Sequence, residues 1–103
     1  MNPWAGEVSL CIDGVARRCR LTLGALAEME AGLQGDGTLD LVGRIEAGRF
    51  TSRDIMAVVV AGLRGGGWEV TAPDLLAADI AGGPVAAARA AAQMLARAFA
   101  PDA

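Results

Sequence analysis

The first part of the chain alternates between apolar and polar residues as a β-strand does. The apolar positions are Val8, Leu10 and Ile12, with polar or small residues between them. Asp13-Gly14 follows them, and this dipeptide favours a two-residue type I′ loop because both central residues need a positive φ. Residues 15–22 then follow as the expected return strand. The pattern therefore predicts a β-hairpin over about residues 7–22.

The two-residue loop also predicts the register of the hairpin. Counting outward pairs Ile12 with Val15, Leu10 with Arg17, Val8 with Cys19 and Glu7 with Arg20. One face is then apolar except for Arg17, and the outermost pair predicts a cross-strand ion pair. Cys11 faces Ala16 in this register, so the two sulfurs lie on opposite faces. This geometry disfavours a disulfide or a two-cysteine metal site, and we expect two free thiols.

Apolar residues at helical spacing predict five helices after the hairpin. Their expected ranges are about 23–33, 39–47, 52–64, 72–81 and 84–100. The residues expected to face inward are Leu23, Leu26, Met29 and Leu33 in the first helix, Leu41, Val42 and Ile45 in the second, and Val85, Ala88, Ala92, Leu95 and Phe99 in the last. Thr22 is the expected cap of the first helix, and the small residues of the last one allow close helix approach.

Two of these helices begin with the same order of residues. Phe50-Thr51-Ser52-Arg53-Asp54-Ile55 and Val70-Thr71-Ala72-Pro73-Asp74-Leu75 each place a Thr cap before an Asp at the third helical position. This spacing predicts a capping box at each start. The segments that follow do not match each other, which indicates shared capping and no internal repeat. Gly-rich stretches predict the ends of these two helices, at Gly65–Gly67 and at Gly82-Gly83.

The third helix is apolar around most of its circumference and is expected to be the most buried element. At 103 residues the chain has the length of one domain. The predicted architecture is therefore a single α+β domain over residues 1–103, with an N-terminal β-hairpin packed on a small bundle of about four to five helices.

Composition excludes most catalytic chemistry. The chain contains no His, no Tyr and no Lys, which removes Ser-His-Asp and Cys-His catalysis, His-ligated metals, Schiff-base lysine and the P-loop lysine. The formal charge is −3, with 12 acidic residues against 9 basic ones, and this field gives nucleic acid no attraction. No apolar run is long enough to span a membrane. The start of the chain has no signal-peptide pattern, so we expect a cytoplasmic protein. From the net charge and the short apolar runs we expect neither nucleic-acid nor membrane partners.

The remaining acidic and basic clusters have structural explanations. Glu28 and Glu30 are two residues apart and cannot face each other on a helix. Asp36 and Asp40 flank a Gly turn that lacks the alternating ligands of a calcium loop. The basic cluster at Arg17, Arg18 and Arg20 is split between two faces of the hairpin. We therefore expect no catalytic residues, no metal site and no cofactor.

The Gly-rich stretch before Trp68 is the most distinctive local feature. A phosphate cradle would need a preceding strand and a following Lys or Ser/Thr, which are missing. One interpretation is a helix end with a flexible connector, after which Trp68 closes the core. The other is a partner-binding surface in which the glycines let a partner approach the Trp anchor. The candidate partner-binding residues are Leu63, Arg64, Gly65, Gly66, Gly67 and Trp68.

Several segments together resemble a known protein family. They are Gly6-Glu7-Val8-Ser9-Leu10, Asp13-Gly14, the run from Leu21 to Glu30, Ser52-Arg53-Asp54 and the run from Gly62 to Gly67. In this order they resemble the small proteins encoded in the tail-gene cluster of gene transfer agents and related prophages, over about residues 6–72. The resemblance implies a phage-tail morphogenesis protein, either a tail assembly chaperone or a tail-tube-associated component, and no catalytic residues.

Of these two roles we expect the tail assembly chaperone, which would bind apolar helical segments of a tail (tape-measure) protein in the cytoplasm. The apolar fraction of 53% and mean hydropathy of +0.39 predict apolar surface left for such a partner. A tube subunit would need long strands that close a ring, and the chain offers one hairpin.

The alternative is a structural tail or tail-tube-associated subunit that is retained in the phage-like particle. Its partners would be other tail proteins, the tape-measure protein or a tube subunit, with homo-oligomers possible. A third class, an enzyme that uses carboxylates only, would need a convergent acid pair, and the spacing shows none.

Overall fold

The computed structural model describes residues 7–32 and 37–99. In this part of the chain a two-stranded antiparallel sheet precedes five helices. The elements are β1 (Glu7–Ile12), β2 (Val15–Arg20), α1 (Leu23–Gly32), α2 (Thr38–Glu46), α3 (Ser52–Gly65), α4 (Ala72–Leu76) and α5 (Gly83–Ala98). The α+β fold class, a hairpin followed by helices, is confirmed.

The register of the hairpin is the predicted one. Ile12 pairs with Val15, Leu10 with Arg17, Val8 with Cys19 and Glu7 with Arg20. Asp13 and Gly14 have φ angles of 51° and 80°, which are the left-handed conformations that a type I′ loop requires. The expected ion pair between Glu7 and Arg20 depends on a side chain that lies outside the described part of the structure.

The two cysteines are free and lie on opposite faces of the hairpin, as predicted. Cys19 is fully buried among core residues, whereas Cys11 is exposed. Burial raises the pKa of the Cys19 thiol from 9.0 to about 11, because the thiolate is the charged form and loses its hydration in the core.

This difference in burial predicts two thiols of unequal reactivity. In the folded protein, Cys11 is expected to react quickly with an aromatic disulfide reagent, and Cys19 only as the chain unfolds. The raised pKa means that the folded state keeps a proton that the unfolded chain loses. Stability should therefore fall as the pH rises from 9 to about 11. Urea denaturation across that range would measure this fall, and Cys19→Ala should weaken the pH dependence. Equal reaction rates for the two thiols would contradict the assignment.

Helix α3 is the centre of the core, as its apolar circumference predicts. It packs against β2, α1, α4 and α5. Its buried apolar residues are Ile55, Val58, Val59, Ala61 and Leu63. The apolar face of the hairpin supplies the facing layer, with Val8, Leu10 and Ile12 all buried.

The predicted inward face of α1 is confirmed at Met29, which is buried, and at Leu26, which packs against the core, but it is wrong at Leu23. Leu23 is 85% exposed, and the buried residues are Ala25 and Met29. Residue 33, also predicted to face inward, lies outside the described residues. The small side chain of Ala25 lies close to Gly65 of α3, so two small residues allow α1 and α3 to approach each other at this point. Helical spacing alone favours the larger leucine and misses this contact.

The predicted inward stripe of α5 is also wrong in most positions. Val85, Ala92 and Phe99 are exposed, and Leu95 is the one fully buried residue of that stripe. The residues that α5 buries are Ala87, Ala90, Ala91, Met94 and Leu95. An Ala-rich helix has apolar side chains on every face, so periodicity cannot select one. The packing of α5 against α3 and β1 determines which of its faces is buried.

The fourth helix ends at Leu76, which is five residues earlier than predicted. After it the chain turns, and Ile80 then pairs with the end of β1 through an Ile12–Ile80 bridge. The backbone N–H of Asp13 donates to the Asp79 carbonyl at 2.8 Å, and that of Ala81 donates to the Cys11 carbonyl at 2.9 Å. These long-range hydrogen bonds replace the last turns of the predicted helix.

Consequently Gly82-Gly83 does not end α4. Gly82 is the residue that precedes α5, and it adopts a left-handed conformation with a φ of 85°. The glycine pair thus lets the chain turn from the Ile80 bridge into α5, because glycine takes positive φ without strain.

Both predicted capping boxes are present. The Thr51 hydroxyl accepts the N–H of Asp54 at 3.1 Å, and the Asp54 carboxylate accepts the N–H of Thr51 at 3.0 Å. Thr71 and Asp74 form the same pair at the start of α4. Asp54 has a second role, since it binds the Arg44 guanidinium of α2 through two hydrogen bonds of 2.9 and 3.1 Å. This contact joins α2 to α3.

Replacement of Asp54 by Asn is expected to cost about 2 kcal/mol, because it breaks charged hydrogen bonds at a largely buried site. The hydrogen bonds from Arg44 lower the pKa of Asp54. The carboxylate therefore stabilises the fold above its unfolded pKa, and this stabilisation is lost as the pH falls through the folded pKa. Asp74→Asn is the matched control, since Asp74 caps α4 at an exposed position. At neutral pH, urea denaturation should show a larger loss for Asp54→Asn than for Asp74→Asn. The loss caused by Asp54→Asn should shrink at acidic pH, where the parent carboxylate is protonated and no longer stabilises the fold.

Candidate functional site

The six candidate residues at the end of α3 form one continuous turn but not one exposed patch. Leu63 is fully buried in the core. Gly65 and Gly66 are half-buried, and Arg64 and Gly67 are exposed. Trp68 is half-buried and packs against the core cluster.

The turn itself is a hydrogen-bonded helix end. The N–H of Trp68 donates to the Leu63 carbonyl at 3.0 Å, and the N–H of Gly67 donates to the Arg64 carbonyl at 3.1 Å. Gly67 has a φ of 108°. This is the pattern of a Schellman motif, in which a left-handed residue follows the helix and satisfies its last carbonyls. The predicted helix end is therefore confirmed at these residues.

Gly65 and Gly66 are positions of close approach between α3 and β2. A Cβ atom on Gly65 would collide with the carbonyl oxygen of Arg20, and one on Gly66 with the carbonyl oxygen of Arg18. The edge of β2 thus occupies the space that the absent side chains leave. In the described structure these two glycines serve the packing of the protein on itself.

Trp68 stacks on the charged residue of the apolar hairpin face. The guanidinium carbon of Arg17 lies 4.0 Å from the centroid of the Trp68 ring, a cation–π geometry. The Nε of Arg17 is buried and has no hydrogen-bond partner among the described residues. Trp68 therefore lets an arginine lie on a face that is otherwise apolar.

Replacement of Trp68 by Ala is expected to destabilise the protein by about 2 kcal/mol, because it removes a half-buried aromatic side chain and the stacked partner of Arg17. Trp68→Phe keeps the aromatic ring and should lose less. Thermal or urea denaturation of the two variants would measure this difference. An unchanged stability of Trp68→Ala would mean that this ring contributes nothing to the fold.

Arg64 contacts α1 and the segment that follows Trp68. Its Nε donates to the Glu28 carboxylate of α1 at 2.9 Å, and its Nη1 donates to the Val70 carbonyl at 3.3 Å. The ion pair is exposed and adds little stability. Glu30 makes a different contact, since its carboxylate accepts the hydroxyl of Thr38 at 2.7 Å. Glu28 and Glu30 therefore have separate partners, as their spacing predicts.

Apolar surfaces also lie elsewhere in the described part of the chain, and two of them bring together residues that no sequence motif links. The first, which we call the α1–α2 face, surrounds a cavity of about 480 Å³. Its large apolar residues are Leu23, Leu26, Leu39 and Phe99. Leu23, Leu39 and Phe99 are 85%, 76% and 47% exposed. Leu39 is the one residue from which the sequence could have indicated this surface, because it is a leucine of α2 outside the predicted inward stripe.

The second surface, which we call the α3–α5 groove, is a cavity of about 280 Å³ between the first turns of α3, α4 and the first turns of α5. Its lining is Phe50, Ser52, Ile55, Met56, Val59, Leu75, Ile80, Pro84, Ala87 and Ala88. All of these residues except Ser52 are apolar. A groove of this composition fits an apolar side chain or the apolar face of a helix.

The described residues contain no cluster of three or more His, Cys, Asp or Glu side chains that could hold a metal ion. In the same part of the chain, no helix is long and apolar enough to cross a membrane. Asp40 lies at the start of α2, where its carboxylate accepts the N–H of Gly37 at 3.4 Å. Residue 36, the other acidic residue considered as a calcium ligand, lies outside the described residues.

Comparison with known proteins gives one family. A family model described as "Phage tail tube protein, GTA-gp10" matches residues 5–101. Neither a curated protein nor a solved structure matches the chain significantly.

Proposed function

Since the chain belongs to the phage tail tube protein family of gene transfer agents, we propose that it is a structural, tail-tube-associated subunit that stays in the finished phage-like particle. The family match over residues 5–101 is the observation that carries this proposal. It confirms the resemblance that the sequence motifs indicate. It also favours the structural subunit over the assembly chaperone that we expected from the short hairpin.

We propose further that the subunit works through protein contacts and catalyses no reaction. The α3–α5 groove supports this role because it is an open apolar surface formed by three helices. Surfaces of this kind mark protein interaction sites in small soluble domains. The partner would be another tail protein or a second copy of the chain.

The two edges of the hairpin indicate that helices would make these contacts. The edge of β2 lies against Gly65 and Gly66 of α3, and one end of β1 pairs with Ile80. A strand from a neighbouring subunit would have to displace these contacts at both places. If helices make the contacts between subunits, a tube-associated protein needs no ring of long strands, and a short hairpin is sufficient.

Quantitative mass spectrometry of purified particles tests the proposal. A structural subunit should be present in a fixed ratio to the major tail proteins. Phe50→Glu would place a charge in the α3–α5 groove and should lower that ratio several-fold. Val85→Glu is the matched control, since Val85 is exposed on α5 and does not line the groove. Absence from finished particles would overturn the structural role.

The tail assembly chaperone remains the second candidate, and the same apolar groove favours it, because an apolar helix of a tape-measure protein would fit there. It predicts the opposite distribution of the protein. A chaperone should co-purify with the unassembled tape-measure protein and be missing from finished tails. The Phe50→Glu variant should then lose that co-purification, whereas Val85→Glu should keep it.

A further inference from the structure

Arg17 lies at a position of the hairpin where folding alone favours an apolar residue. It is on the same side of β2 as the buried Cys19, and it pairs across the hairpin with the buried Leu10. A guanidinium group loses hydration at such a position, and one stacked aromatic ring compensates for only part of that loss. A charged residue at this position therefore indicates a role beyond the fold.

The guanidinium group of Arg17 has no carboxylate partner among the described residues. Its Nε atom is buried and makes no hydrogen bond there. The side chain as a whole is half-buried, and the two Nη atoms are not among the buried unpaired atoms, so they reach the surface. In the same part of the chain, Glu69 follows Trp68, is exposed and makes no ion pair with Arg17. The charged end of Arg17 is thus open to a partner.

The surroundings of Arg17 indicate the chemistry of that partner. A carboxylate accepts two parallel hydrogen bonds from one guanidinium group, and such a pair is about twice as strong as a neutral hydrogen bond. Val15, two residues earlier on the same face, is 48% exposed and offers an apolar contact beside the charge. Nucleic acid would require several cations along its backbone, whereas Arg18 and Arg20 lie on the opposite face of the hairpin.

We propose that Arg17 binds an Asp or Glu side chain of a partner protein, with an apolar side chain of that protein on Val15. Trp68 is the positioning residue, because its ring lies 4.0 Å from the guanidinium carbon and fixes the plane of the group. Trp and Arg are also the residue types that most often dominate protein–protein contacts. Neither of them lines the α3–α5 groove, so this surface is a second one, and it does not depend on whether the protein stays in the particle.

Arg17→Leu tests the proposal through stability and binding together. Leucine completes the apolar face of the hairpin, so the urea midpoint should equal or exceed that of the parent. The chain has two Trp residues and no Tyr, so the Trp4→Phe variant emits from Trp68 alone. In that background the peptide acetyl-Leu-Glu-Leu-amide should change the emission in a saturable way, and acetyl-Leu-Gln-Leu-amide should require a several-fold higher concentration. Arg17→Leu should abolish this difference between the two peptides.

Arg18→Leu is the matched control, because Arg18 is the next residue of β2 and is exposed on the opposite face. It changes the net charge equally and should keep the preference for the Glu peptide. A lower urea midpoint or loss of folding in Arg17→Leu would overturn the proposal, because Arg17 would then serve the fold, through the Trp68 ring or a carboxylate of the chain itself. Equal responses to the two peptides would also overturn it. A change in emission on concentrating the protein alone would assign the site to a second copy of the chain instead.

Discussion

Replacement of Val59 by Asp is expected to leave the chain unable to fold. Val59 lies in the middle of α3 and is 1% exposed. The new carboxylate would be buried among apolar side chains, where an unpaired charge costs several kcal/mol. A protonated carboxyl group would still lack hydrogen-bond partners there and would also destabilise the fold. A small domain has a total stability of about 5–15 kcal/mol, so this one change removes a large part of it. Solubility, circular dichroism and a urea titration would measure the loss.

Two controls separate a burial effect from a general effect of added charge. Val85→Asp introduces the same group at a position of α5 that is 67% exposed, and it should leave the unfolding transition nearly unchanged. Val59→Ala removes buried methyl groups without adding a charge and should cost about 2–3 kcal/mol. A soluble Val59→Asp protein that unfolds cooperatively would show that this face of α3 is not the core.

The features that could be predicted from the sequence depend on neighbouring residues along the chain. The loop Asp13-Gly14 sets the hairpin register through local turn geometry, and the structure has the predicted pairs. The caps at Thr51 and Thr71 depend on side chains three residues away. The burial of α3 follows from its apolar circumference, since every orientation of that helix buries apolar residues.

The features that could not be predicted depend on contacts far along the chain. The early end of α4 results from backbone hydrogen bonds between β1 and the segment around Ile80. The exposure of Leu23 results from the approach of Ala25 to α3. On α5, alanines on all sides leave the helix without a distinguishable apolar face. In each case the local sequence allows several helix ends or buried faces, and tertiary packing determines which of them forms.

The candidate site shows the same division. Residues 63–68 attract attention as a consecutive motif, yet in the structure they include a core leucine and two glycines packed on β2. The α3–α5 groove brings together residues from 50 to 88, and no short segment contains its pattern. A groove between helices becomes visible only when the helices are packed together. The binding role that we assigned to Trp68 and its neighbours stays a prediction.

Gly65→Ala is the sharpest test of this packing. Helix propensity predicts that the substitution raises the stability of the protein, whereas the contact between α3 and β2 predicts that it lowers it. Alanine is a better helix former than glycine by about 1 kcal/mol, so propensity alone predicts that Gly65→Ala stabilises α3. The added methyl group would instead collide with the carbonyl oxygen of Arg20. That oxygen belongs to the backbone of β2 and cannot move without disturbing the hairpin. We therefore expect Gly65→Ala to cost about 3 kcal/mol, the upper part of the usual range for overpacking.

Gly43→Ala is the matched control for this test. Gly43 lies inside α2, and a Cβ atom there would meet no other atom within 4 Å. This variant should be more stable than the parent by up to about 1 kcal/mol, because only the helix propensity changes. Urea denaturation of the two variants should shift the midpoint in opposite directions. If both substitutions raised the midpoint, α3 would not pack against β2 as closely as the structure has it, and Gly65 would serve only to end the helix.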